Sequence, residues 1–388
     1  MLILKRGEIG PLVELVQLAL KRAGYFTEIN GGFDEKLENA VKEFQTANGI
    51  EADGIVGFET NKLLEPYLLG YKTDEKGNIV KLDFDIVPTD IRYIWRLVSY
   101  ITDGLAVRYP FLETGSIGKS VMGKELYYIK IGNGEKEVMY NATHHANEWI
   151  TTPLLLKFAE QYAKAYSKDG ELYGSDAKEL FESVSLYIIP CVNPDGMDVV
   201  NGGIPTGEFY NNVLAISSNY PEIPFPDGWK ANINGVDLNL NYPANWKKAK
   251  ESKYALGYTT PAPRDFVGEE PLSQPESVAM YNFTIKHPFA LTLSYHTQGK
   301  VIYWKYLDYQ PRNSYKIGVA LSDASGYALS TTPPESAYAG YKDWFIQAFN
   351  KPGYTIEAGE GVNPLPLNQF NEIYKDNSKL LVTALEMA

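Results

Sequence analysis

The hydrophobic pattern divides the 388-residue chain near residue 68. Leu12, Leu15, Val16, Ala19 and Leu20 recur at helical spacing, with Gly24 placed as a stop. Asp34 stands as an N-cap ahead of Leu37, Val41 and Phe44, and Asn48-Gly49 closes that second helix. Asp53-Gly54 marks a turn, and Leu63, Leu64 and Leu68 point to a third helix. Residues 1–68 are therefore expected to form a small all-α three-helix module. Residues 69–85 are polar and turn-rich and read as a linker, leaving 86–388 as a second domain.

That second domain alternates strand and helix patterns. Val138–Thr143, Val184–Val192, Ala290–Tyr295, Val301–Trp304 and Tyr354–Glu357 are apolar and β-rich, while Leu154–Ala165 and Asp376–Met387 have helical periods. The expectation is an α/β domain, a mixed twisted sheet with helices on both faces, whose ligand site lies at the carboxyl ends of strands. Residues 203–228 are rich in Pro, Gly and Asn and read as a surface loop near that site. Asp195-Gly196 reads as a structural turn.

Composition removes several function classes. The formal charge is −12, with no basic stripe, so neither nucleic acid nor an anionic membrane surface is an expected partner. No run of about 18 apolar residues is present to cross a membrane. Cys191 is the only cysteine; it forms no intrachain disulfide, and its apolar neighbours predict a buried, inert thiol. The opening Met-Leu-Ile-Leu-Lys-Arg lacks a signal peptide's apolar core, so either export takes another route or a leader has been removed.

The four histidines are His144, His145, His287 and His296. In His145-Ala-Asn-Glu148, directly after the strand Val138–Thr143, a histidine and a carboxylate three residues apart can turn onto one cation. His296 ends another strand and can supply a third ligand. Two histidines and a glutamate make the ligand set of a catalytic zinc, one ion per chain, with a fourth position open. Glu357 ends a further strand outside that set, where a carboxylate can take the proton of an attacking water. His287, before Pro288, reads as a helix-end or turn histidine.

Two resemblances follow. Gly10, Gln17, Gly24-Tyr25, Gly32-Phe33-Asp34, Phe44-Gln45 and Asp53-Gly-Ile-Val-Gly57 resemble the peptidoglycan-binding type 1 domain; with no histidine before His144, no zinc is expected in this module. Residues 86–388 resemble the zinc carboxypeptidase (M14) family in Tyr109-Pro110, His145-Ala-Asn-Glu-Trp149, Asn193-Pro-Asp-Gly196, Gly235-Val-Asp-Leu-Asn239, Ser294-Tyr-His296, Lys342-Asp-Trp344 and Thr355-Ile-Glu357. The resemblance implies His145, Glu148 and His296 as zinc ligands, not His144, and Glu357 as general base. It implies Asp237 as the carboxylate that orients the first histidine, and Lys230 where relatives use an arginine to polarise the scissile carbonyl. Asn239, Leu240, Tyr338 or Tyr341, and Lys342 fall at substrate-facing positions. Leu240 replaces the arginine that grips a terminal carboxylate in true carboxypeptidases.

That departure, together with the wall-binding module, resembles the bacterial γ-D-glutamyl-L-diamino acid endopeptidases. The expected function is hydrolysis of the γ-D-glutamyl–diamino acid bond of peptidoglycan stem peptides by zinc-activated water. A zinc carboxypeptidase trimming ordinary peptides and a non-catalytic wall-binding protein are the alternatives. Lys342 is expected to pair with the distal carboxylate of diaminopimelate. The implied partners are peptidoglycan or muropeptides. The implied place of action is the cell wall or outside the cell, the cytoplasm of a sporulating cell being the alternative.

Overall fold

The computed structural model describes residues 3–388; Met1 and Leu2 of the helical module lie outside the described residues. The module's helices are α1 (Pro11–Ala23), α2 (Glu35–Ala47) and α3 (Phe58–Leu69). Gly24 caps α1 at φ 84°, a left-handed value that glycine adopts freely. The Asp34 carboxylate accepts the Leu37 amide at 2.9 Å and so caps α2. Gln45, fully buried in the core, donates to Asp53 Oδ1 at 2.8 Å and accepts the Gly54 amide at 2.9 Å. This fixes the Asp-Gly turn that the sequence singled out.

Residues 69–85 are not a slack linker. Tyr71–Thr73 pairs antiparallel with Ile79–Lys81, and Arg108 at the end of α4 (Trp95–Arg108) donates to the carbonyls of Gly70, Leu82 and Phe84. The segment looks unstructured in sequence because its side chains face water while its backbone is held by a cation from the following helix. The module itself is docked. Its core and that of the second domain are continuous through Leu64, Leu68, Leu97, Ile101 and Leu105. Buried Glu14 on α1 accepts from Arg92 Nη2 at 2.6 Å, Nε at 2.7 Å and the backbone amide at 3.1 Å. An apolar cavity of about 470 Å³ remains between α1, α3 and α4, lined by Leu12, Leu15, Leu64 and Tyr100 among others.

The second domain is built on eight strands: β1 (Glu113–Lys119), β2 (Glu125–Ile131), β3 (Lys136–Ala142), β4 (Val184–Ile189), β5 (Leu291–His296), β6 (Val301–Tyr303), β7 (Ala328–Ser330) and β8 (Gly353–Glu357). Their spatial order is β7-β6-β8-β5-β3-β4-β2-β1. The central strands β4, β3, β5 and β8 are mutually parallel, and antiparallel pairs flank them, β6 against β8 and β2 against β4. Period-two alternation divides the core. Val138, Tyr140 and Ala142 pack with helices α5 (Thr151–Tyr166) and Phe370–Glu386, whereas Met139 packs with Pro275–Ile285 and Tyr341–Phe349 on the other face. Both faces are covered, as the sequence predicts.

Two local expectations change. Residues 203–228 contain a helix, Glu208–Ser218, rather than loop alone. Asn193-Pro-Asp-Gly196 opens the helix Pro194–Asn201: Pro194 occupies its first turn, and Asn193 Oδ1 accepts the Gly196 amide at 3.0 Å. Asp195 is buried there, 3.1 Å from Lys124. Cys191 is buried as expected, and burial pushes its thiol up out of the reactive range.

Gly104 reports on the docking. A Cβ at this position in α4 would overlap the carbonyl oxygen of Leu69. Gly→Ala in a free helix stabilises by about 1 kcal/mol; against a docked α3 it should instead destabilise by about 1–3 kcal/mol. Chemical denaturation of Gly104→Ala decides between these signs. A more stable variant would mean that the module stands off from α4.

Candidate active site

Strands β3, β5 and β8 end at one edge of the sheet, and their register sets the site. Ala142 pairs with Tyr295, and Glu357 pairs with His296. Immediately after β3, Thr143 takes φ 55°, an unusual value for a β-branched residue. Its hydroxyl and amide are anchored on α5, with Thr143 Oγ1 2.9 Å from Thr151 Oγ1 and 2.8 Å from Thr152 Oγ1. This turn swings the chain off the sheet into the short 3₁₀ turn Ala146–Glu148. Side chains three residues apart nearly eclipse in such a turn, and His145 and Glu148 therefore meet.

His145, Glu148 and His296 converge, all buried, with ligand atoms within 4.8 Å of one another. His145 Nδ1 lies 2.8 Å from Glu148 Oε1, His296 Nδ1 lies 2.8 Å from Glu148 Oε2, and the two Nδ1 atoms are 3.1 Å apart. Asp237 Oδ1 is 3.2 Å from His145 Nε2. With the Nε2 proton directed to Asp237, the Nδ1 lone pair is left to face inward. Two imidazole lone pairs and a carboxylate aimed at one buried point are the donor set of a divalent zinc site, and the residues present fit that ion.

The electrostatics without a cation agree. Burial alone would lower His145, but Glu148 and Asp237 raise it to about 9. Burial lowers His296 and outweighs the opposing pull of Glu148. Glu148 lies well below the usual carboxylate range because His145, Lys230 and His296 overcome its desolvation. Glu357, half-buried beside the cluster, is pushed up to about 8, first by burial and then by the charge of Glu148. The Lys230 ammonium lies 3.5 Å from Glu148 Oε1; burial would lower it, but Glu148 and Asp237 hold it above its ordinary value.

Two cavities meet over this cluster. One, of about 200 Å³, is lined by Asn239, Leu240, Lys253, Thr332, Lys342 and Asp343 among others. The second, about 520 Å³, is lined by Asn147, Ile223, Pro224, Val362 and Asn363 among others. Lys230, Arg264, Thr297, Tyr303 and Glu357 belong to both walls. The 203–228 segment thus borders the cleft, as expected.

Other sequence candidates separate here. His144 is buried away from the ligand atoms, with Nε2 3.0 Å from the Tyr242 hydroxyl. His287 is paired to Glu137 at 2.9 Å and lies ahead of β5, whose other end carries His296. Tyr341 is not substrate-facing: it is fully buried, its hydroxyl 3.0 Å from Thr284 Oγ1 and its ring packed on His144 and Tyr242. Tyr338 is half-buried against the small apolar cluster around Leu240. Asn239 turns its Oδ1 to the Tyr341 amide at 3.0 Å. Lys342 does line the cleft, but its ammonium donates to Lys305 O at 2.9 Å and Thr332 Oγ1 at 3.0 Å and is ion-paired with Asp343 Oδ1 at 2.8 Å. It is a neutralised, buried pair and not a free cation awaiting a carboxylate. Arg264 and Tyr303 escape a reading of the sequence because neither belongs to a recognisable spacing; only the fold brings them to the cleft.

Comparison with known proteins agrees with this geometry. The zinc carboxypeptidase family matches residues 98–379, and the peptidoglycan binding domain matches residues 9–64. The chain is 41% identical over 307 residues to gamma-D-glutamyl-L-diamino acid endopeptidase 1 of Lysinibacillus sphaericus, covering 79% of this chain and 75% of that protein. It is 40% identical over 280 residues to the uncharacterized protein YqgT of Bacillus subtilis, covering 71% and 73%. The solved carboxypeptidase A of Helicoverpa armigera superposes with a TM-score of 0.57 at 21% identity, over 92% of this chain and 88% of that one, and so shares the fold. The chain is a zinc metallopeptidase and belongs to the zinc carboxypeptidase family.

Proposed function

We propose that this protein hydrolyses the γ-D-glutamyl–diamino acid bond of peptidoglycan stem peptides. The observation that carries the reading is Leu240, which lines the cleft where a carboxypeptidase would present an arginine to a terminal carboxylate; a leaving group with more chain, or with its charge elsewhere, is tolerated there. Similarity to the Lysinibacillus endopeptidase over most of both chains supports the same bond. The match of residues 9–64 to a peptidoglycan binding domain supports wall polymer or its fragments as the partner, and the wall or cell exterior as the place of action. Residues 1–68 are the wall-binding unit in this reading, and 86–388 the catalytic one, joined by 69–85.

His145, Glu148 and His296 hold the zinc, with Asp237 fixing the His145 ring. Zinc, when bound, supplies Lewis-acid activation of a water and of the scissile carbonyl. Glu357 takes the proton of the attacking water and passes it to the departing α-amine of the diamino acid. Lys230 faces the carbonyl oxygen as negative charge grows on it. Its 3.5 Å contact with Glu148 holds the ammonium in place without a tight hydrogen bond. Tyr303 and Thr297 line the wall where the substrate backbone passes.

Mass spectrometry of purified muropeptides tests the reaction: products should be the γ-D-glutamyl acid and the free diamino-acid fragment, and a chelator should stop their release. Products shortened only at the C-terminus would identify an ordinary carboxypeptidase instead. His296→Ala should lose stoichiometric zinc and turnover; zinc retained at one per chain would remove His296 from the ligand set. Glu357→Gln should keep its zinc while kcat falls by about 10²–10⁴.

Zinc loading has a proton signature. In the metal-free protein at pH 7, His145, at about 9, and Glu357, at about 8, both hold protons. Ligation needs the His145 lone pair, and a dication lowers Glu357, so binding should expel about one to two protons per zinc. Affinity should therefore rise as pH climbs from 7 towards 9 and level off above. Calorimetry in buffers of different ionisation enthalpy measures this, and buffer-independent heats would contradict a protonated His145 and Glu357.

A further inference from the structure

Four cationic side chains other than histidine line the smaller cavity: Lys230, Lys253, Arg264 and Lys342. Three are committed. Lys230 stands against Glu148, Lys253 is 2.5 Å from Asp265 Oδ1, and Lys342 is ion-paired with Asp343 while donating to Lys305 O and Thr332 Oγ1, with side-chain exposures of 18%, 12% and 5%. Arg264 differs. Its Nε donates to Asp265 Oδ2 at 2.7 Å, its side chain is 43% exposed, and neither Nη group has a partner among the described residues.

The backbone aims it. The carbonyl of Pro263 accepts the amides of Lys230 at 2.8 Å and Ala231 at 2.9 Å, while the Asp265 amide reaches Asp237 Oδ2 at 3.4 Å. Asp265 adopts φ 64°, a left-handed conformation, and its carboxylate bridges Lys253 and Arg264. Arg264 is thus fixed between the residue that faces the scissile carbonyl and the residue that orients the zinc ligand. Its guanidinium borders both cavities where they meet.

A γ-linked glutamyl group carries something that a neutral residue of an ordinary peptide lacks on the acyl side. Its own α-carboxylate stays free, four carbon–carbon bonds from the scissile carbonyl carbon, a reach of about 5 Å. We propose that Arg264 is a specificity-determining residue whose two free Nη groups receive this α-carboxylate, so that the enzyme selects stem peptides with a free D-glutamate over those amidated to D-isoglutamine. The inference rests on the γ-glutamyl reading above and deepens it. A guanidinium matches a carboxylate with two parallel hydrogen bonds, whereas a carboxamide offers one acceptor and turns a donor toward the cation. The anchoring by Asp265 pre-organises the fork, which reduces the ordering cost of binding.

The test uses the zinc-loaded full-length chain and three synthetic tripeptides: L-Ala-γ-D-Glu-diaminopimelate, the same peptide amidated on the D-glutamyl α-carboxylate, and the same peptide amidated on the distal carboxylate of diaminopimelate. The wild type should prefer the free acid over the glutamyl amide by roughly ten- to a hundredfold in kcat/KM. In Arg264→Ala that ratio should fall toward one, with zinc content and melting temperature retained. Arg264→Lys, which keeps the charge and loses the fork, should be intermediate. An unchanged ratio in Arg264→Ala, or an equal loss on acid and amide, overturns the proposal. So does a variant that instead loses discrimination at the distal diaminopimelate carboxylate, since Arg264 would then read the leaving group. A wild type that leaves all three γ-glutamyl bonds intact but cuts an α-linked control would overturn the reaction assignment, and this inference with it.

Discussion

Two imidazole nitrogens 3.1 Å apart, each 2.8 Å from a carboxylate oxygen, form a buried cluster of lone pairs that is satisfied by a cation at its centre. Much of the domain serves to hold these atoms in place before the cation arrives. Parallel strands β3, β5 and β8 bring their ends to one edge, and the strained Thr143 turn is locked by two threonine hydroxyls of α5. Asp237 fixes the outer nitrogen of His145. Thr297 and Asn363 contribute further donors to Glu148, at 3.3 and 3.5 Å. A ligand set displaced by an ångström would bind metal poorly, and this packed surround keeps the positional error small.

The same constraint organises charge around the cleft. Buried ions need partners, and this cleft gives each one: Lys230 with Glu148, Lys253 with Asp265, Lys342 with Asp343. Pairing within the protein quiets most of the field, so substrate recognition falls to groups with donors left over and to shape. Leu240 makes part of that wall apolar. In the proposed reading, such a site distinguishes substrates by where a carboxylate lies rather than by whether one is present at the chain terminus.

What is legible in the sequence, and what is not, follows from the range of the interactions involved. Asp34 as N-cap, Gly24 as stop and the strands before His145, His296 and Glu357 are local features, encoded within a few residues, and each appears where its neighbours dictate. The ligand triad is legible because His145 and Glu148 share one turn and His296 ends a strand. Tyr341 departs from its expected role because position in a motif does not say which face of a helix meets the cleft: Tyr341 opens the helix Tyr341–Phe349 and turns into the core beneath His144, whereas Lys342 next to it lines the cleft and is paired there with Asp343. Arg264 lies 27 residues beyond Asp237 in the numbering and meets it only through the Asp265 amide. The hairpin at 69–85 hides for a similar reason, its order being imposed by Arg108, more than twenty residues downstream.

Docking of the module changes how a wall-binding unit can act on its neighbour. A flexible tether raises the local concentration of substrate by an amount set by linker length, and tolerates many orientations. Here the α3–α4 contact at Gly104, the Glu14–Arg92 pair and the Arg108-bound hairpin leave the two units a common core. In the proposed reading, a glycan strand or stem peptide bound by residues 1–68 therefore stands at a fixed distance and direction from the zinc cluster. Affinity at the module can then help catalysis only for polymer whose next cleavable bond lies at that distance. Geometry, and not reach, sets which bonds of the wall the cleft can meet.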